Sequence, residues 1–181
     1  ISLIKSNNEL LLRLINDVLD ISKIESGMVS FAYTDVYLPS AMRDMYNIMQ
    51  LRMPENVELI LDPCPDIMIR TDNNRMVQIL SNLLTNAIKH TSCGSIRFGY
   101  TLKGDHVHFY VSDTGKGIPE KELDHIFGRF VQLKGAYNGI GLGLAISKGL
   151  VNKMGGEISV SSKVGEGSTF RFTLPLANIL S

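Results

Sequence analysis

The sequence predicts an α+β fold, a two-layer α/β sandwich preceded by one separate helix. Segments with helical periodicity and segments with strand alternation intermingle along the chain, without the strict alternation of a doubly wound parallel sheet. The 181 residues are 44% hydrophobic and 20% charged, enough apolar matter for an independent core. The opening segment carries a seven-residue apolar repeat that the rest of the chain lacks, which sets it apart as a helix in need of a partner.

Residues 1 to 26 read as that helix. Ile4, Leu11 and Val18 lie seven apart, and Leu14 and Ile21 repeat the spacing three places further on. This is the seam of a coiled coil or helix pair, interrupted by Asn7 and stopped by Gly27. Such a helix cannot bury its stripe alone. A second copy or a helix from elsewhere is the expected partner, and folding back onto the rest of the domain is the weaker alternative.

Residues 29–36 suggest a short strand, and Leu38-Pro39-Ser40 followed by 41–53 suggests a capped helix. Strands are expected at 57–61 and 68–70, split by the turn Asp62-Pro-Cys-Pro-Asp66. Asp72 is an N-cap candidate for a long helix over 73–90. Residues 96–102 and 106–112 form a hairpin around Lys103-Gly104-Asp105, a short polar helix holds His125, a helix spans 141–154, and strands at 157–161 and 169–175 close the domain.

Formal net charge is zero, which argues against a nucleic-acid partner recruited by bulk electrostatics. Cys64 and Cys93 are too few for a disulfide framework or metal site. No apolar run approaches the ~20 residues of a membrane span. The chain opens Ile1-Ser2-Leu3-Ile4 with neither a signal peptide nor an initiator Met, and is expected to be an excised piece of something longer.

Four motifs follow in order: Asn82-Leu-Leu-Thr-Asn86-Ala-Ile-Lys89, Asp113-Thr-Gly-Lys-Gly117, Asn138-Gly-Ile-Gly-Leu-Gly143, and Gly165-Glu-Gly-Ser-Thr169. On the 73–90 helix, Asn82, Asn86 and either Lys89 or His90 share one face. An Asn pair facing a cleft can lend neutral oxygens to magnesium, with phosphate and water supplying the rest. Lys89 can reach phosphate as a point charge. The competing account, a solvated polar face, weighs equally until the later motifs are added. Asp113 ends a strand, and a carboxylate there can accept from the exocyclic amine of adenine, where guanine carries a carbonyl. Gly115 and Gly117 allow close approach of a ring, and Ile118-Pro119 continues the turn. Gly139, Gly141, Leu142 and Gly143 lead into a helix whose exposed amides suit an anion. The pattern is neither the dinucleotide fingerprint nor the P-loop.

These motifs in combination resemble the ATP-binding domain of sensor histidine kinases, in the superfamily shared with gyrase, MutL and the heat-shock chaperones, over roughly residues 34 to 176. The resemblance implies a mixed sheet of about five strands under three helices. Residues 1–27 would be the second helix of the dimerisation and phosphoacceptor domain, and 28–181 the catalytic domain. ATP and magnesium are the implied cofactors. Asn86 is implied as the magnesium ligand, Asp113 as the base selector, and Thr169 as the hydroxyl that supports it. Ile126-Phe127-Gly-Arg-Phe130 resembles the Phe box, with rings anchoring a lid over 131–138 from which Lys134 meets the γ-phosphate or simply faces solvent. Ile140 departs from the Thr more usual in the family.

None of His90, His106, His108 or His125 sits in a His-Glu/Asp-Xaa-Arg-Thr-Pro box, so none is expected to be the phosphoacceptor. The related ATPases carry Glu near the place of Asn82, and an amide cannot be a general base, which favours a kinase over a hydrolase. A non-catalytic ATP- or ADP-binding regulatory module is the alternative. Implied partners are a response-regulator receiver domain and a second copy through the N-terminal helix. The implied setting is a cytoplasmic domain whose parent is anchored in the bacterial inner membrane by upstream segments.

Overall fold

The computed structural model describes residues 2–131 and 141–176. Helix α1 (Ser2–Glu25) is followed by β1 (Thr34–Tyr37), α2 (Leu38–Gln50), β2 (Val57–Leu61), β3 (Met68–Thr71) and α3 (Asn73–His90). Then come β4 (Gly94–Lys103), β5 (His106–Asp113), α4 (Glu120–Leu123), α5 (Gly143–Lys153), β6 (Ile158–Lys163) and β7 (Gly167–Pro175). The main sheet runs β2-β4-β5-β7-β6, with β2 parallel to β4 and the other pairs antiparallel. It is the expected mixed sheet.

Strand alternation divides its two faces. Ile96, Phe98, Val107, Phe109, Val111, Phe170, Phe172 and Leu174 are buried beneath the helices. Phe109 and Phe172 stack there with ring centroids 4.7 Å apart. The helices answer with Met42, Met45 and Met49 of α2, Ile79, Leu80, Leu83 and Leu84 of α3, and Ile146 and Leu150 of α5. The opposite face stays polar. There Tyr110 donates to Asp62 at 2.6 Å, and Arg97 lies 2.5 Å from the same carboxylate.

The expected strand at 29–36 is corrected to Thr34–Tyr37, which pairs with β3 in a separate two-stranded sheet. Val29 and Phe31 do pack on the core, but the backbone just after them bonds to a side chain rather than to a strand: the Ala32 amide donates to Asp72 Oδ2 at 2.8 Å. The other Asp72 oxygen caps α3, accepting from the Arg75 amide at 3.0 Å. His125 lies in the turn beyond α4 rather than within a helix.

The heptad seam of α1 divides between two surroundings. Ile21 and Ile24 pack against the core, and a Cβ on Gly149 of α5 would stand 2.7 Å from Ile24. Asp20 receives Arg75 at 3.1 Å and Gln78 at 2.8 Å, and Glu25 pairs with Arg129. Leu11, Leu12, Ile15, Val18 and Leu19 remain exposed in a stripe at i, i+4, i+7 spacing. The end of α1 is thus docked on the domain, and its middle is left without apolar cover among the described residues.

Candidate nucleotide site

Three elements deliver the sequence-selected residues: the polar face of α3, the loop after β5, and the start of α5. Asp113 is the last residue of β5 and only 6% exposed, on the helix-facing side of the sheet. Its Oδ1 accepts from the Gly115 amide at 2.9 Å. Burial pushes its carboxyl above the ordinary 3.8, and the amides of Gly115 and Ser168 oppose that shift. Among the described residues it forms no ion pair. A buried carboxylate with unfilled lone pairs is suited to a donor arriving from outside.

The loop that follows is clamped from both sides. Toward α3, the Lys116 amide donates to the His90 carbonyl at 3.2 Å. Toward the β6–β7 hairpin, Ile118 N donates to Ser162 Oγ at 2.8 Å and Gly165 N to Lys116 O at 2.9 Å. Gly117 adopts φ +71°, and a Cβ on it would meet the Lys163 carbonyl oxygen at 2.1 Å, so no other residue fits the clamp. Ile118 is buried against the core.

On α3, Asn86 is half-buried and Lys89 exposed. His90 is half-buried, and burial together with Lys116 and Lys89 lowers its ring pKa, which favours the neutral imidazole. Asn82 does more than line a face. Its Nδ2 donates to the Gly143 carbonyl at 3.2 Å and approaches Ser147 Oγ at 3.3 Å, tying α3 to the first turn of α5. Ser147 closes the triangle by donating to the same carbonyl at 2.9 Å.

The α5 terminus is open for an anion. Where α3 has Asp72 as a side-chain cap, the N-cap of α5 is Leu142, with no side-chain cap bond, and the first amides of the helix are left without a protein acceptor among the described residues. Leu142 itself is buried and anchors the turn. Gly141 (φ +73°) accepts from the Phe130 amide at 3.0 Å, bringing the two ends of the 131–141 segment together. Lys134 and Gly139, like the expected lid beyond Val131, lie outside the described residues.

Two expectations are corrected. In the 126–130 box, Phe127 is the anchoring ring, edge-on to Phe170 with centroids 6.2 Å apart, whereas Phe130 is 65% exposed at φ 58°. Thr169 does not support Asp113: its Oγ1 is 2.8 Å from Ser112 Oγ, on the polar face of the sheet. The hydroxyl in register with Asp113, on its own face, belongs to Ser168. Strand alternation counted from Phe170 would have found it, since Ser168 and Phe170 share a side and Thr169 faces away.

Among the described residues, no three His, Cys, Asp or Glu side chains gather as a metal cage. A cation at Asn86 would take one neutral amide oxygen from the protein and the rest from phosphate and water, which suits magnesium.

Known proteins resemble this chain in sequence and in fold. Residues 71–178 match the family described as histidine kinase-, DNA gyrase B-, and HSP90-like ATPase. Hybrid signal transduction histidine kinase B of Dictyostelium discoideum is 37% identical over 95% of this chain and 9% of its own length. Aerobic respiration control sensor protein ArcB of Escherichia coli K12 is 40% identical over 88% of this chain and 22% of its own. The structure of full-length ShkA in complex with AMPPNP superimposes with a TM-score of 0.86 at 31% identity, covering 99% of this chain and 39% of that one. The chain therefore spans less than a quarter of these two curated relatives. It belongs to the histidine kinase-, DNA gyrase B- and HSP90-like ATPase family.

Proposed function

From that membership and the site above, we propose that residues 28–181 form the ATP-binding catalytic domain of a sensor histidine kinase, with residues 1–27 as the second helix of its dimerisation domain. The observation that carries this reading is the buried Asp113 carboxylate, held among the described residues by backbone amides in a loop clamped on both sides. It takes the adenine amine. The uncapped α5 amides take the phosphates, and Asn86 completes the shell of the accompanying magnesium.

The protein's share in phosphoryl transfer is then positioning and charge stabilisation. Asn82 supplies no general base, and its amide is occupied in holding α5 against α3. ATP is accordingly held rather than hydrolysed, until an imidazole is presented in line with the γ-phosphorus. The acceptor is a His on a partner helix, and an Asp on a response-regulator receiver domain receives the group afterwards. The exposed stripe of Leu11, Leu12, Ile15, Val18 and Leu19 is the surface through which a second copy pairs. No described helix is long and apolar enough to cross a membrane, and attachment to one would run through other segments of the parent.

The test is transfer in trans. The chain is incubated with labelled ATP, magnesium and a two-helix dimerisation domain bearing the His box. Acid-labile phosphate on that added His is the expected result. Release of inorganic phosphate without labelling would contradict the kinase reading.

A further inference from the structure

Three side chains stand in one cross-strand row on the helix-facing side of the sheet. Ser162 of β6 pairs in register with Ser168 of β7, and Ser168 pairs with Asp113 of β5. We propose that Ser162 is a positioning residue that fixes the direction of the Ser168 hydroxyl, and through it the preference of the site for a 6-amino over a 6-oxo purine. This rests on the reading of Asp113 as the base selector.

The argument is a count of protons and lone pairs. A serine hydroxyl has one proton to give and two lone pairs to fill. Ser162 Oγ lies 2.9 Å from the Gly167 carbonyl, which can only accept, so the Ser162 proton goes there. It lies 2.8 Å from the Ile118 amide, which can only donate, so one lone pair is filled. The remaining contact is Ser168 Oγ at 2.9 Å, and a single lone pair is left to meet it. Ser168 must therefore be the donor in that bond.

With its proton committed to Ser162, Ser168 offers only lone pairs to anything placed beside Asp113. The ionised Asp113 offers only lone pairs as well. Side chains directly opposite on paired strands stand about 5 Å apart at Cβ, close enough to act on one ligand group or one bridging water. Two acceptors in a row favour an amine and repel a carbonyl. Were Ser168 free to turn, it could donate to a 6-oxo group and blunt the discrimination that Asp113 provides. The same Ser162 oxygen anchors Ile118, so the residue sets both the loop after Asp113 and the polarity beside it.

The experiment compares ADP with IDP, which differ at this position as amine and carbonyl, by calorimetry on the whole chain with magnesium. Wild type binds ADP more tightly. Ser162→Ala reduces the ADP-to-IDP affinity ratio by about three- to tenfold, the range one hydrogen bond commands. Ser162→Thr, which keeps the hydroxyl on a β-branched side chain suited to a strand, restores the ratio to within about twofold. Ser168→Ala lowers the ratio to a similar degree, and the double variant lowers it no further. A Ser162→Ala protein that loses affinity for both nucleotides equally, or keeps its ratio, overturns the proposal, because a purely structural role would move both affinities together. If Ser162→Ala does not fold, Ser162→Cys takes its place, a thiol of similar size but weaker donor strength, and its unchanged ratio would overturn the proposal equally. A wild type with no preference for ADP would instead overturn the reading of Asp113 on which the proposal stands.

Discussion

In the proposed role Asp113 has to be charged, yet it stands where charge is expensive. Burial raises its pKa above 3.8, and two backbone amides recover part of the cost. The protonated acid keeps one carbonyl acceptor but loses the charge-assisted bond, so under the proposed function the ionised form binds adenine more tightly. Affinity for ATP is therefore expected to be flat near neutrality and to fall on acidification at a higher pH than an exposed carboxylate would set. Asp113→Asn abolishes that step and weakens binding by about ten- to a hundredfold, the worth of a hydrogen bond to a charged group. Calorimetry across pH checks both, and a step that persists in the variant would assign it to another group. For stability the sign is reversed. An acid whose native pKa is raised holds its proton more tightly folded than unfolded, so its contribution is greatest below the unfolded pKa and declines as pH rises through the native one.

The end of α1 is held to the domain by polar groups as much as by Ile21 and Ile24. Asp20 meets Arg75 and Gln78 of α3, and all three are half-buried. Asp20→Ala should loosen residues 17–25 while leaving the sheet intact, lowering stability by only about 1 kcal/mol. Hydrogen exchange reads this directly: faster exchange confined to the end of α1 is expected, and unchanged protection there would show that apolar contacts alone hold it. Sequence made some elements legible and hid others for identifiable reasons. Helix α3 could be read to its cap because Asp72 and the periodic apolar face are local signals. The segment around Val29 and Phe31 alternates like a strand, but its partner is a side chain 40 residues away, which no local pattern reveals. The docking of α1 was hidden for the same reason, since it depends on Gly149 making room for Ile24. At the site, Asp113, Asn86 and the α5 glycines were legible as chemistry, whereas the choice of Ser168 over Thr169 was settled by strand register.

At the scale of the molecule, the described residues form a finished core and leave an apolar stripe on α1 uncovered. Leu11 and Val18 are 55% and 53% exposed on the same stripe of α1. Burying a side chain of this kind is worth about 1.5–3 kcal/mol, so the chain should self-associate at high concentration. Replacing both with Lys should give monomers in sedimentation without lowering thermal stability, because neither touches the domain core. A wild-type chain that stays monomeric at every concentration would remove the stripe from consideration as an interface. On the proposed function, a domain that holds ATP without a general base should release phosphate slowly on its own. The nucleotide reading rests on one claim, that the clamped loop at Asp113 is an adenine pocket and the α5 terminus a phosphate site. Calorimetric titration of the chain with ATP and with GTP, both with magnesium, tests it most directly. Binding of ATP with GTP excluded is the predicted result, and GTP bound as tightly as ATP would contradict it.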